Sequence, residues 1–202
     1  MNCIERYVFK KRNIYITDIN DINDLKPVQK MHNVLVDFYN LYDNNISNIL
    51  YNIYENYIIA DTYSKRCRDF WKLIVAYYDD KAVGAFWILE PPIKVFYDSI
   101  EIDNNQLLFY SVYVNPKYRG QGIYNQMHNK AFEYWWTHCR EKEVITIVEE
   151  NNVASNKSNQ KYGLKIKGCN ILIKFLGRNI ISIYKTQNKT RIWVLFKKEV
   201  LR

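Results

Sequence analysis

The sequence predicts an α/β fold of the α+β kind, a mixed and mostly antiparallel central sheet of about six to seven strands flanked by about four helices. β-Branched and aromatic runs alternate with helical patterns in the order β-α-α-β-β-β-α-β-α-β-β. Within that order, KLIVAYYDDKAVGAFWILE is two apolar strands joined at Asp79-Asp80, which asks for an antiparallel hairpin. Only the strand–helix–strand unit around residues 107–149 asks for parallel neighbours, so the sheet is mixed and helices cover its faces. A length of 202 residues without repeat, linker or low-complexity tract suits a single domain, 1–202.

The elements follow in order. YVFKKRNIYITDI (Tyr7–Ile19) is an opening strand. Leu25–Tyr42 places Val28, Met31, Leu35, Phe38 and Tyr42 at helical spacing, with Pro27 tolerated in the first turn. A second helix is expected within Ile46–Ile59, where Ile46, Ile49, Leu50, Ile53 and Tyr57 share a face. The hairpin ends at Pro91-Pro92, and Asn104–Val114 is the next strand. Ile123–His138 carries Ile123, Met127, Ala131, Tyr134, Trp135 and His138 on one helical stripe. Glu143–Glu150 is a further strand, NVASNKSNQKYG is a short helix stopped at Gly163, and LKIKGCNILIKFLG, NIISIYK and RIWVLFKKE close the sheet.

Composition narrows the function. Apolar residues at 48% and charged residues at 25% suit a soluble globular chain. The scattered Cys3, Cys67, Cys139 and Cys169 form no CxxC pair, which argues against a zinc site or a disulfide framework and for reduced cytosolic thiols. MNCIERYVFKKRN lacks the apolar core of a signal peptide and no run reaches membrane-spanning length, so a cytoplasmic protein without membrane insertion is expected. The net charge of +8 favours anionic partners. After Gly163 it accumulates as Lys165, Lys167, Lys174, Arg178, Lys185, Lys189, Arg191, Lys197, Lys198 and Arg202 against Glu199 alone. Such a terminal region reads as a solvated strand face in preference to a nucleic-acid surface.

The stretch VNPKYRGQGIY is the most informative. An apolar strand meets Asn115-Pro116, where proline stops ladder pairing. Gly120 and Gly122 then let the chain turn with several N–H groups pointing one way before a helix opens. Free donors and the positive helix end suit phosphate, and Arg119 adds a charged fork. The loop lacks the Lys-Ser/Thr of a P-loop, and Asn125 stands where a dinucleotide fingerprint needs a small residue. An ordinary strand-to-helix turn is the plain alternative.

VYVNPKYRGQGIY closely resembles the coenzyme A loop of the GNAT superfamily of acyl-CoA-dependent N-acetyltransferases. Val112, Val114, Pro116, Arg119 and Gly122 match its strand end and its Arg-x-x-Gly-x-Gly/Ala turn, while Tyr124 departs from the final small residue. A second motif agrees: Asn152, Ser155, Asn159, Lys161 and Gly163-Leu164 stand where the family's next helix carries Asn-x-x-Ala/Ser, a frequent Tyr, Lys and Gly-Phe. The resemblance covers roughly Lys72–Leu172. It divides the domain into acceptor-side residues 1–70, an acetyl-CoA-binding core at 72–172 and closing strands at 173–202.

The resemblance implies strands that splay at a cofactor cleft. Val112, Tyr113 and Val114 would pair with pantetheine, and N–H groups of Arg119, Gly120, Gln121, Gly122, Ile123 and Tyr124 would hold the pyrophosphate of acetyl-CoA. The Tyr124 ring would flank the cofactor. Asn152 would bond the pantetheine arm or serve as an ordinary helix cap. No metal is implied. A lysine-like amine has a pKa of about 10.4, so only about one molecule in ~2,500 is free base near neutrality, a deficit of roughly 4–5 kcal/mol. Glu149 is the candidate base, with Tyr110 and Tyr113 as further candidates. Asn159 stands where many relatives have a tyrosine acid, and Tyr162 is a possible substitute.

These features lead to acetyl transfer to the primary amine of a small-molecule or peptide acceptor by direct attack. The alternatives are another acyl donor, an amino-sugar or aminoacyl acceptor, a coenzyme A-binding module without catalysis, and a basic nucleic-acid-binding protein. Asp37, Tyr39, Asp43, Asp98 and Glu101 lie in acceptor-side segments and can attract a cation, while the terminal strand Arg191–Lys198 is available to pair across a homodimer.

Overall fold

A computed structural model describes residues 7–17, 33–67, 70–175, 178–186 and 190–195. The strands are β1 (Tyr7–Thr17), β2 (Val34–Tyr39), β3 (Trp71–Tyr78), β4 (Lys81–Leu89), β5 (Val95–Tyr97), β6 (Ile100–Ile102), β7 (Gln106–Val114), β8 (Glu143–Glu149), β9 (Lys165–Phe175), β10 (Arg178–Thr186) and β11 (Thr190–Val194). The helices are α1 (Ile46–Tyr54), α2 (Tyr57–Ser64), α3 (Ile123–His138) and α4 (Val153–Lys161).

Nine strands form one sheet in the order β11-β10-β9-β1-β8-β7-β4-β3-β2, and β5 and β6 form a separate ribbon. Every neighbouring pair in the large sheet is antiparallel except β7 and β8. The expected hairpin is β3–β4, turned by Asp79 and Asp80, both at positive φ (45° and 61°) as a tight hairpin turn requires. The opening strand β1 inserts between β8 and β9, antiparallel to both.

β4 is buried along nearly its whole length, because both faces of the sheet are covered there. On one face, Ile74, Phe86, Phe109 and Val144 pack with Met127, Phe132 and Trp135 of α3. On the other, Leu73, Val75 and Trp87 pack with Leu50 and Ile53 of α1. The β5–β6 ribbon continues that second layer through Ile100 and Ile102 against Leu89, Leu108 and Ile145.

Three expectations are corrected. The large sheet has nine strands, more than the six to seven expected. The expected helix Leu25–Tyr42 begins outside the described residues, with Val28 and Met31, and its described part is strand β2. There Val34 and Val36 face the core while Leu35 is 63% exposed, the alternation of an edge strand. The helix expected within Ile46–Ile59 is two helices. Glu55 turns left-handed (φ 50°), and Asn56 starts α2 by accepting hydrogen bonds from the N–H groups of Ile58 and Ile59. Ile19, Cys3, His32, Lys189, Lys197, Lys198 and Arg202 lie outside the described residues, as does the end of the Arg191–Lys198 strand.

Candidate active site

The cleft begins where two strands part. β7 and β8 pair in parallel from Gln106↔Glu143 to Phe109↔Thr146, and the ladder ends there. Beyond that point β7 stays on β4 through a bulge. Trp87 faces Tyr110 and Ala85 faces Tyr113, so Ser111 and Val112 together oppose one residue, with Ser111 at φ 51°. A bulge bends and twists its strand, while β8 is held on its other edge by β1 up to Arg12↔Glu149. The gap is a cavity of about 320 Å³ between Tyr110–Val112 and Ile147–Glu149, floored by Tyr124, His128, Asn152 and Asn159.

The loop after β7 supplies the second half. The Asn115 side chain accepts a hydrogen bond from the Lys117 N–H and opens a single 3-10 turn, Pro116–Tyr118. Arg119 Nε donates to the Val114 carbonyl at 3.1 Å and ties the loop to the strand end. Gly120 (φ 78°) and Gly122 (φ 68°) take left-handed turns, and Gly122 caps α3 without a side-chain hydrogen bond. The first-turn N–H groups of a helix have no intrahelical acceptor. Residues of that turn line a cavity of about 460 Å³, bounded by Val112–Val114, Arg119, Gly120, Gly122, Ile123 and Tyr124. A Cβ on Gly120 would meet nothing within 4 Å, so the space over the bend is open. The two cavities share Val112, Tyr124, Asn152 and Ser155 and form one groove.

Of the expected cofactor-side residues, Val112, Tyr113, Val114, Arg119, Gly120, Gly122, Ile123, Tyr124 and Asn152 line this groove; Gln121 does not. The Tyr124 ring lies 4.5 Å from that of His128 and forms part of both cavities. Burial pushes its phenol up from its ordinary pKa, and the nearby Ser158 and Ser155 of α4 act against that rise. A tyrosine is therefore accommodated in the first turn by packing its ring back along α3 on His128. Asn152 caps α4, its side chain accepting from the Ser155 N–H at 3.2 Å, and also faces the groove.

The expected catalytic residues are not all brought together. Glu149 reaches the cavity, but Lys10 Nζ on β1 donates to its carboxylate at 2.5 Å. Glu150 points to the other face and pairs with Lys11. Asn159 is buried and lines the cavity. Tyr162 is absent from the lining: its hydroxyl donates to the Asn125 carbonyl at 2.9 Å, and its ring stacks on His128 at 5.0 Å. Burial raises its pKa, so this phenol holds its proton.

Arg12, Asp98 and His128 also line the cavity, although none belongs to a motif. Arg12 donates to both Asp98 and Asn170, and the Tyr110 hydroxyl donates to the same Asp98 carboxylate at 3.0 Å. Burial, aided by that carboxylate, raises the Tyr110 pKa. Asp98 and Ser99, at φ 46° and 66°, form the tip of the β5–β6 ribbon. The flanking runs Val95–Tyr97 and Ile100–Ile102 were the available signal for that hairpin. Arg12 gave none, being one cation in KKRN. His128 is fully buried with neither ring nitrogen hydrogen-bonded, and burial lowers its pKa to about 3.

The sequence model of the Acetyltransferase (GNAT) family matches residues 35–163, well over half the chain. No curated protein matches it in sequence. Among solved structures it is similar to a tandem GNAT protein from the clavulanic acid biosynthesis pathway (TM-score 0.60, 13% identity, 84% of this chain and 55% of that one). It is also similar to a GCN5-related N-acetyltransferase from Sphaerobacter thermophilus (TM-score 0.56, 15% identity, 86% and 54%) and to one from Kribbella flavida (TM-score 0.54, 10% identity, 84% and 60%). This chain thus spans less than two thirds of each, and at such identities the likeness speaks for the fold. Among the described residues, no helix is long and apolar enough to cross a membrane. With the family match spanning hairpin, loop and α4, and the parallel strands opening where its motif lies, the chain belongs to the acetyltransferase (GNAT) family of acyl-CoA-dependent N-acyltransferases.

Proposed function

We propose that the groove binds acetyl-CoA and that the protein transfers its acetyl group to a primary amine by direct attack within a ternary complex. The observation that carries this reading is the parallel pair parting after Phe109↔Thr146 beside a helix start whose N-cap, Gly122, brings no side chain to its N–H groups. One edge of β7 is left with main-chain groups at Val112–Val114 suited to pantetheine amides, and donors from Arg119 to Tyr124 suit a pyrophosphate. The coenzyme supplies a thioester. The chain's part is to hold that thioester in the 320 Å³ cavity, orient the amine and accept its proton. Glu149 lines the cavity and is our candidate acceptor of that proton, directly or through water. Asn159, buried in the lining of the same cavity, can donate a hydrogen bond toward the leaving sulfur but no proton. A thiol with an ordinary pKa near 8.5 leaves tolerably as thiolate.

A second reading is a coenzyme A-binding module without turnover. It draws on the Lys10 pairing of Glu149 and the engagement of Tyr162 with Asn125. Titration calorimetry with acetyl-CoA, followed by thiol release against an amine panel, tests both. Binding with release supports transfer; binding without release for any amine favours the module; no binding rejects both. Gly120→Ala sharpens the result. Its Cβ would enter the open space over the bend and force a left-handed alanine, so acetyl-CoA affinity should fall about ten-fold or more.

A further inference from the structure

Behind the free edge of β7 lies a box of aromatic rings. Trp71 meets Trp87 edge-on at 6.0 Å and Tyr97 at 5.1 Å, Tyr97 meets Tyr110 at 5.4 Å, and Tyr63 stacks on Trp87 at 6.0 Å. The five come from α2, β3, β4, β5 and β7, so tertiary structure assembles them. A cation sits among them. The guanidinium carbon of Arg66 is 4.2 Å from the Tyr63 ring centre, 4.9 Å from Tyr110, 5.3 Å from Trp71 and 5.9 Å from both Trp87 and Tyr97. The negative faces of aromatic rings attract such a charge.

Arg66 is an imperfect occupant. Its Nη1 is buried without a hydrogen-bond partner, and an unpaired charged donor offsets part of what the ring contacts contribute. Four of the rings, all but Trp87, are partly exposed, as is Arg66 itself, so the box opens to solvent. Tyr110 joins the box to the cleft. Its ring faces the guanidinium, and its hydroxyl donates to Asp98 in the cavity wall.

We propose that this box is a subsite for a second cationic group on the acceptor, and that Arg66 holds the place while the acceptor is absent. The inference rests on the acyl-transfer reading of the cleft. The reacting amine would lie beside Asp98, and the distant cation would displace Arg66 from the rings. The acceptor is then a two-headed cation: a primary amine at one end and a guanidinium, the head group that Arg66 already presents to the rings, at the other.

Calorimetric titration with 4-guanidinobutylamine and with butylamine, at matched ionic strength and without any coenzyme A ester, reads the box independently of catalysis. The two-headed cation should bind about ten-fold tighter than the monoamine. Arg66→Ala, which vacates the box, should tighten it by about ten-fold more, and Tyr97→Leu, which removes the ring that the β5–β6 ribbon contributes, should erode the preference by about three-fold. Equal binding of the two probes by the wild-type chain overturns the proposal. So does an Arg66→Ala chain that binds the guanidinium no better than the wild type. Failure of the acyl-transfer reading shows elsewhere, as thiol release at background with every amine.

Discussion

The two walls of the cleft bury polar groups to similar depth and do so in opposite ways. On the β1 and β5–β6 side the solution is ionic. Arg12 donates to Asp98 and Asn170, Asn170 donates to Ser182 at 2.8 Å, and Ser182 donates to the Ser99 carbonyl at 2.6 Å. On the α3 and α4 side it is aromatic. His128 lies uncharged among Phe86, Tyr124, Phe132 and Tyr162, with both nitrogens unpartnered. A buried charge needs its partner, whereas a buried neutral ring needs only to remain neutral. The first wall is therefore vulnerable to loss of a residue and the second to acid.

The largest effect tests the ionic wall. Asp98→Ala removes the carboxylate from the guanidinium of Arg12, whose side chain is only 7% exposed, and leaves it with two neutral acceptors, Asn170 and the main-chain carbonyl of residue 98. Breaking a buried pair in this way costs about 3–5 kcal/mol, which urea denaturation would register as a lower midpoint at unchanged slope. A loss under about 1 kcal/mol would mean that Asn170, the carbonyl of residue 98 and water suffice, and the contrast between the walls would disappear.

Acid tests the aromatic wall. The folded pKa of His128 is lowered from 6.5 to about 3 by burial. Between those values the unfolded chain binds the proton and the folded chain does not, so stability is full above pH 6.5 and falls as pH drops. Near pH 5 the loss is roughly 2 kcal/mol. The neighbouring phenols Tyr124 and Tyr162 stay protonated throughout, their pKa values raised by burial. Denaturation from about pH 7 to pH 4 should show this slope in the wild type and a shallower one in His128→Leu. Equal slopes would remove His128 as the source of the acid sensitivity.

The walls differ equally in how far the sequence discloses them. Gly120, Gly122, Pro116 and Asn152 act through main-chain geometry, which is local, so loop, helix start and cap could be read directly. The Asp79-Asp80 turn was legible for the same reason. Arg12 matters only because β1 inserts between β8 and β9, a pairing that no local pattern announces. The misread β2 shows the same limit. Leu35 and Phe38 fit a helical stripe, but pairing from Val34↔Tyr78 to Tyr39↔Leu73 sends them to opposite faces, Leu35 to solvent and Phe38 against Tyr134 of α3. Tertiary pairing there outweighs a short apolar period.

The smallest expected effect decides a role within the aromatic wall. Tyr162 was a candidate acid for the leaving thiolate, yet its hydroxyl donates to the Asn125 carbonyl in α3. Tyr162→Phe keeps the ring against His128 and Phe132 and removes one hydrogen bond, so stability should fall by about 1 kcal/mol. If the phenol only braces α4 against α3, kcat for acetyl transfer should stay within about two-fold of wild type. A fall in kcat of about a hundred-fold at unchanged KM would return the proton to Tyr162 and require its ring to leave the His128 stack during turnover. That wall would then be a moving part of the site, and the assignment of Asn159 as the group beside the sulfur would fall.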